Sequence, residues 1–162
     1  MMVGLKGGLA MRQSLAAVAL IRREQEGQTV WLAQWNPRWQ RYHFVSGHKQ
    51  PDESFRQCMV RELAEELHVR ESIDFRVAAE PLSHLEYTAW SESAQAETAY
   101  TMEAFEVELI GEMAQQTVHA DPRNRWLTEP EIRGQYCRDG NPASPSMGLI
   151  LSKLITEGLT TK

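Results

Sequence analysis

The chain has 162 residues, 42% of them hydrophobic and 24% charged, with a formal net charge of −5. That length and composition suit one packed domain and exclude a largely disordered chain. The acidic balance excludes a broad basic face for gripping nucleic acid, and no apolar run approaches the roughly 20 residues that cross a bilayer.

In chain order, residues 1–13 read as a flexible N-terminal tail ahead of a single domain over residues 14–162. Residues 15–22 (LAAVALIR) form an apolar run suited to a central strand. Residues 24–28, with Gly27, predict a turn, and residues 29–34 (TVWLAQ) a second strand rich in β-formers. Asn36-Pro37-Arg38 breaks that strand, residues 42–45 make a third, and residues 46–52 read as a loop. A helix is expected over residues 54–68, with Asp52 as its N-cap and Glu53 in its first turn. Strands are expected at 75–79, 83–90 and 100–109, with a polar loop at 91–98 between the last two. Residues 125–127 suggest one more short strand, and residues 129–134 one or two helical turns. A final helix is expected over 146–157. Its core stripe is Met147, Ile150, Leu151, Leu154 and Ile155, and Gly158 closes it. Together these elements predict an α/β fold with a mixed β-sheet packed between helices. Cys58 and Cys137 belong to no CxxC pair, so they read as reduced thiols of a cytoplasmic protein, not as a zinc or disulfide framework.

The middle helix breaks the usual separation of charge from core. At roughly 100° per residue with Phe55 at zero, Met59, Leu63 and Leu67 fall at about 40°, 80° and 120° and define the stripe. On the same wheel Glu66 falls at about 20°, inside the stripe, with Glu62 at about −20° and Glu65 at about −80° on the same flank. Burying an unpartnered carboxylate is costly, and crowding carboxylates raises their pKa values. A solvated acidic face would avoid the problem. Ion pairs, such as Arg61 with Glu65 at i, i+4, contribute only about 0.3–0.5 kcal/mol each when exposed. A divalent cation is the third solution, and hard oxygen ligands suit Mg²⁺ or Mn²⁺. Helix geometry alone leaves the three open.

Gly47, five residues, Glu53, seven residues, then Arg61-Glu62-Leu63-Ala64-Glu65-Glu66-Leu67-His68-Val69 resembles the Nudix box. Every fixed position of that box is present except one, where His68 stands in place of glycine. Residues 15–22, 30–34 and 42–47 are similar to the strands that lead into the box. Arg125-Trp126-Leu127-Thr128 with Glu131-Ile132 is similar to a late segment of the family. The resemblance implies an α/β/α sandwich and a pyrophosphohydrolase that cleaves a nucleoside diphosphate linked to another moiety, using Mg²⁺ or Mn²⁺. It implies Glu62, Glu65 and Glu66 as metal ligands. Arg61 would orient Glu65 by a salt bridge, Glu53 would support the site, and Gly47 would let the loop turn onto the helix. The partner implied is a small nucleoside diphosphate derivative, and a homodimer is common among similar proteins; the lack of a long apolar run argues against a membrane, and the acidic charge weighs against nucleic acid. A non-hydrolytic nucleotide-binding module on the same fold is the alternative.

Three positions depart from the family pattern. His68 must take a left-handed cap conformation that glycine favours. His48 and Lys49 stand where a second glycine is common, which makes His48 a candidate phosphate contact beside Gly47. Ser46 replaces a common proline. Trp35, Trp39, Tyr42 and Trp90 are candidates for stacking on a base, and Arg38 and Arg41 for phosphate. The resemblance puts the general base outside the box. Glu97, Glu103, His119 and Asp121 qualify by type, and Glu97 and Asp121 lie in the polar segments expected to overhang the site.

Overall fold

A computed structural model describes residues 11–156. The chain order is β1 (Arg12–Leu20), β2 (Arg22–Gln25), β3 (Gln28–Asn36), β4 (Arg41–Phe44), β5 (Ser46–His48), α1 (Phe55–Leu67), β6 (Phe75–Val77), β7 (Ser83–Ser91), β8 (Ala96–Leu109), α2 (Gly111–Ala120), β9 (Asn124–Thr128), α3 (Glu129–Gly134) and α4 (Pro145–Thr156). Two sheets form. The mixed sheet runs β5-β1-β8-β6, with β7 also paired to β8. The second runs β2-β3-β4, with β9 added on β3. In the mixed sheet, among the described residues, β1 and β8 are the one parallel pair.

Strand β1 explains its own sequence. Successive side chains of a strand point to opposite faces. Ala17, Ala19 and Ile21 join the cluster built on Met59, Leu63 and Leu67 of α1, with Phe105 and Val107 of β8. Val18 and Leu20 join the cluster of Met147, Ile150, Leu151 and Leu154 of α4. Both faces are covered, so the run reads apolar throughout. Each fully buried leucine or methionine contributes about 1.5–3 kcal/mol relative to exposure. The α/β arrangement expected from the sequence is therefore present, with the mixed sheet between α1 on one side and α4 on the other.

Several boundaries differ from expectation. Strand β1 begins at Arg12, inside the segment read as tail, because Arg12 is already in register with Thr98 of β8. Residues 46–48, read as loop, form edge strand β5 on β1. The polar 91–98 segment is mostly hairpin: Ser91 pairs with Ala96 and Trp90 with Glu97. Helix α2 had no sequence signal, since only Ala114 and Val118 of it are buried and its N-cap makes no side-chain bond. The N-cap of α1 is Ser54, not Asp52. The Ser54 side chain accepts from the Gln57 N–H, and Gln57 returns to the Ser54 N–H in a capping box. The expected end of the last helix at Glu157 and Gly158, and the inward position of Ile155, lie outside the described residues and side chains.

Candidate functional site

The site grows from the contact between α1 and the edge strand β5. Gly47 is in register with Ala17 and faces α1. A Cβ on Gly47 would lie 1.9 Å from Cδ of Glu62. Glycine is needed because the Glu62 side chain passes over it, not because the loop turns tightly there. Glu62 is thereby pressed against the sheet edge with 12% of its side chain exposed. Burial raises its pKa; Arg61 opposes that, and Glu65 and Glu66 add to it.

Arg61 ties the box together, with a different first partner from the one expected. Its Nη2 and Nε donate to the two oxygens of Glu53 at 2.7 and 3.1 Å. Its Nη1 donates to Glu62 at 2.8 Å, while Glu65 is reached only at 3.4 Å. Nη2 also donates to the backbone carbonyl of His48 at 3.0 Å. The Arg61 fork and the Gln50 N–H hold the Glu53 carboxyl far down, at about 2. Arg61 thus orients Glu53 and Glu62 foremost, leaving Glu65 57% exposed. The Cys58 thiol, pushed up to about 11 by burial, donates to the Gly47 carbonyl at 3.4 Å.

Glu66 does not lie in the core as its angle suggested; 39% of its side chain is exposed. It sits on the last turn of α1, where the stripe runs out at Leu67. Its backbone carbonyl accepts from Gln34 at 3.2 Å and Arg123 at 3.1 Å, and its carboxylate stands 3.6 Å from Arg123 Nη1. His68 takes the left-handed cap at φ 60°, as its position required.

The remaining expected residues fall in separate places. His48 is in register with Ala16, on the face opposite Gly47, and its imidazole is exposed. It reaches the site through its carbonyl. Asp121 is held by Arg123, whose Nη2 donates to it at 2.8 Å and whose backbone N–H donates at 2.9 Å, and these bonds lower its pKa. Glu97 lies exposed at the start of β8, about 20 Å up the strand from Glu103 at ~3.3 Å per residue. Glu103 is better placed: it is in register with Ala17, hence in the same row as Gly47 and on the α1 face. Its side chain is 21% exposed, with Oε2 2.8 Å from His84 Nδ1. Glu86 and Glu103 together raise the pKa of His84. Among the aromatic candidates, Trp35 packs edge-on to the buried Tyr42 and Trp39 edge-on to His43, while Trp90 is half-exposed at the hairpin end. Sequence reasoning missed Gln34, Arg123 and Asn124, which come from sheet positions and a turn that no spacing marks.

Among the described residues, no three His, Cys, Asp or Glu side chains close into a cluster that would cage a metal. The donor set is nonetheless all hard oxygen, one carboxylate is half-buried in a cradle that a Cβ would fill, and its neighbours are acids. That chemistry fits an open cation site that shares its coordination with waters and phosphate oxygens. A separate cleft of about 520 Å³ between Arg22, Arg23, Arg76, Glu106, Glu108 and Trp126 includes none of these residues. Its arginines are engaged with Glu106, Glu108 and the Trp126 ring.

The NUDIX domain family model matches residues 12–145. No curated protein sequence matches the chain. The structure is similar to that of a C. elegans Ap4A hydrolase, at 15% identity and a TM-score of 0.58 over 89% of this chain and 97% of that one. It is similar to a mutT/nudix family protein from Listeria innocua, at 15% identity and a TM-score of 0.61 over 92% and 98%. It is also similar to Shewanella oneidensis NrtR complexed with a 27mer DNA, at 15% identity and a TM-score of 0.59, covering 88% of this chain but 61% of that one. At these identities the likeness is one of fold.

Proposed function

From a chain that belongs to the NUDIX family, we propose a divalent-metal-dependent pyrophosphohydrolase that cleaves a nucleoside diphosphate linked to another moiety. The observation that carries this reading is Glu62, a half-buried carboxylate seated over Gly47, neutralised by Arg61 on one side and crowded by acids on the other. Glu62, Glu65 and Glu66 would hold Mg²⁺ or Mn²⁺. When bound, such an ion supplies Lewis-acid polarisation of the diphosphate and activation of water. The protein's own part is positional. Arg61 locks Glu53 and Glu62 in one lattice, so the ligand carboxylate needs no reordering when substrate arrives. Gly47 sets how closely Glu62 approaches the sheet. Glu103 is the acid whose position best fits the role of general base, since it stands in the row of Gly47 on the α1 face and His84 fixes its Oε2. Asp121 suits that role less well, because Arg123 stabilises its charged form, and Glu97 is too far along β8.

The test is a panel of nucleotide diphosphate derivatives with Mg²⁺ or Mn²⁺, products identified. Multiple turnover releasing a nucleoside monophosphate is expected. Glu66→Gln should lower kcat by orders of magnitude in a folded protein. Tight nucleotide binding without turnover in the wild type would instead support the alternative, a binding module.

A further inference from the structure

We propose that Arg123 is a positioning residue for Glu66: it braces the last turn of α1 from the neighbouring sheet and so sets the cation affinity of the site. This rests on the hydrolase reading above. The two ends of the carboxylate set are held in different ways. Glu62 is fixed by packing against β5. Glu66 is three times as exposed, 39% against 12%, and has no such support.

Helix geometry makes that end weak. The last four carbonyls of a helix lack partners within it, and cations at the C-terminus offset their partial charge. Helix α1 has no basic residue in its last turn. The missing cation comes from outside the helix. Arg123 Nη2 donates to the Glu66 carbonyl at 3.1 Å, and Gln34 Nε2 donates to the same oxygen at 3.2 Å. Both donors are themselves held. Asp121 accepts from Arg123 Nε at 3.2 Å and Nη2 at 2.8 Å. Asn124 accepts from Gln34 at 3.0 Å and donates to the Val118 carbonyl at 2.9 Å. The brace therefore runs from α2 through β9 and β3 to the end of α1.

The side-chain contact has a telling length. Arg123 Nη1 stands 3.6 Å from Glu66 Oε1, beyond a hydrogen bond. The guanidinium biases the direction of the carboxylate and leaves its lone pairs for another cation. Outer partners hydrogen-bonded to metal ligands typically change metal affinity about 10–100-fold; Arg123 acts through the Glu66 backbone carbonyl, so the lower end of that range is expected. If charge were all that mattered, removing a cation from beside the site would tighten metal binding. The two accounts differ in sign.

The experiment uses the full chain with Mn²⁺ alone, read by electron paramagnetic resonance titration. Arg123→Ala should weaken Mn²⁺ binding about 10-fold. Asp121→Asn keeps the Arg123 charge but loosens its anchor, and should also weaken binding. Circular dichroism and thermal melting establish that each variant is folded; if Arg123→Ala does not fold, Arg123→Gln, which removes the same charge, decides. Amide exchange at Leu67 and His68, measured without metal, should be faster in both variants. Unchanged or tighter Mn²⁺ binding in a folded variant would overturn the proposal. A wild type that binds no Mn²⁺ would sink the hydrolase reading. The claim on cation affinity falls with it, and exchange then judges the mechanical brace alone: faster exchange shows that Arg123 holds the last turn, and unchanged exchange shows that it does not.

Discussion

Gly47 and Glu62 act as one unit, because the side chain of one occupies the space that a side chain on the other would need. Only 1.9 Å separates a Cβ at Gly47 from Cδ of Glu62, so one of the two must yield. The yielding atoms are the flexible end of Glu62, not backbone. Gly47→Ala is therefore expected to cost only about 1–3 kcal/mol in denaturant unfolding. Mn²⁺ binding, by contrast, should be lost in calorimetry. Unaltered binding would place Glu62 elsewhere. Glu53 gives a pH signature. Its carboxyl is held at about 2 in the folded chain, below its usual 4.5. A depressed folded pKa contributes stability that is present above the unfolded value and is lost as pH falls toward the folded one. Melting temperature should thus drop more steeply between about pH 5 and pH 2 in the wild type than in Glu53→Gln. Parallel curves would show that the Arg61 bond gives Glu53 no net stabilisation.

At the scale of the element, α1 shows what its sequence carried and what it did not. The box spacing located the helix, the acids and the arginine, because a 3.6-residue repeat and fixed loop distances are local properties. The angular reading of Glu66 as a core residue went astray because it took Phe55 as one edge of the stripe; Phe55 is only partly buried, and the buried stripe is carried by Met59, Leu63 and Leu67. The floor continues under the last turn, where Leu67 is buried, and Glu66 stands at its edge. The arginine's first partner is Glu53, eight residues back, not Glu65 four residues on, since the loop folds Glu53 under the guanidinium. Local spacing favours i, i+4 neighbours and is blind to such a return. His68 was legible as a strained cap, and its φ of 60° bears that out. Glycine there would relieve the left-handed strain but gain freedom in the unfolded chain. His68→Gly is expected to stabilise by roughly 0.5–1 kcal/mol in chemical denaturation, with kcat little changed. Destabilisation would show that the His68 side chain makes a favourable contact. Helix α2 stayed hidden because two buried residues in ten make too thin a stripe to read.

For the whole molecule, the proposed cation site would couple metal binding to stability. A ligand that binds only the folded chain stabilises it by about 2.7 kcal/mol at a hundred times its Kd. Saturating Mn²⁺ should raise the melting temperature of the wild type and not that of Glu62→Gln/Glu66→Gln; equal shifts in both would mean that the ion binds elsewhere. The layer order of sheet between helices was readable from β1, whose unbroken apolar run needs cover on two faces. The division into two sheets was not, because strand pairing across long separations leaves no local mark. That same pairing has a temporal side. Strand β1 lies against β8, and Arg12 meets Thr98 across 86 residues of chain. Helix α1 is made early, yet Phe105, Val107 and Val118 of its floor are made late. The floor of the box helix is therefore completed only when β8 and α2 join Ala17, Ala19, Ile21, Leu32 and Val45, which precede the helix in the chain. Contacts of such long range close slowly. The proposed cation site thus rests on a floor drawn from both ends of the described chain.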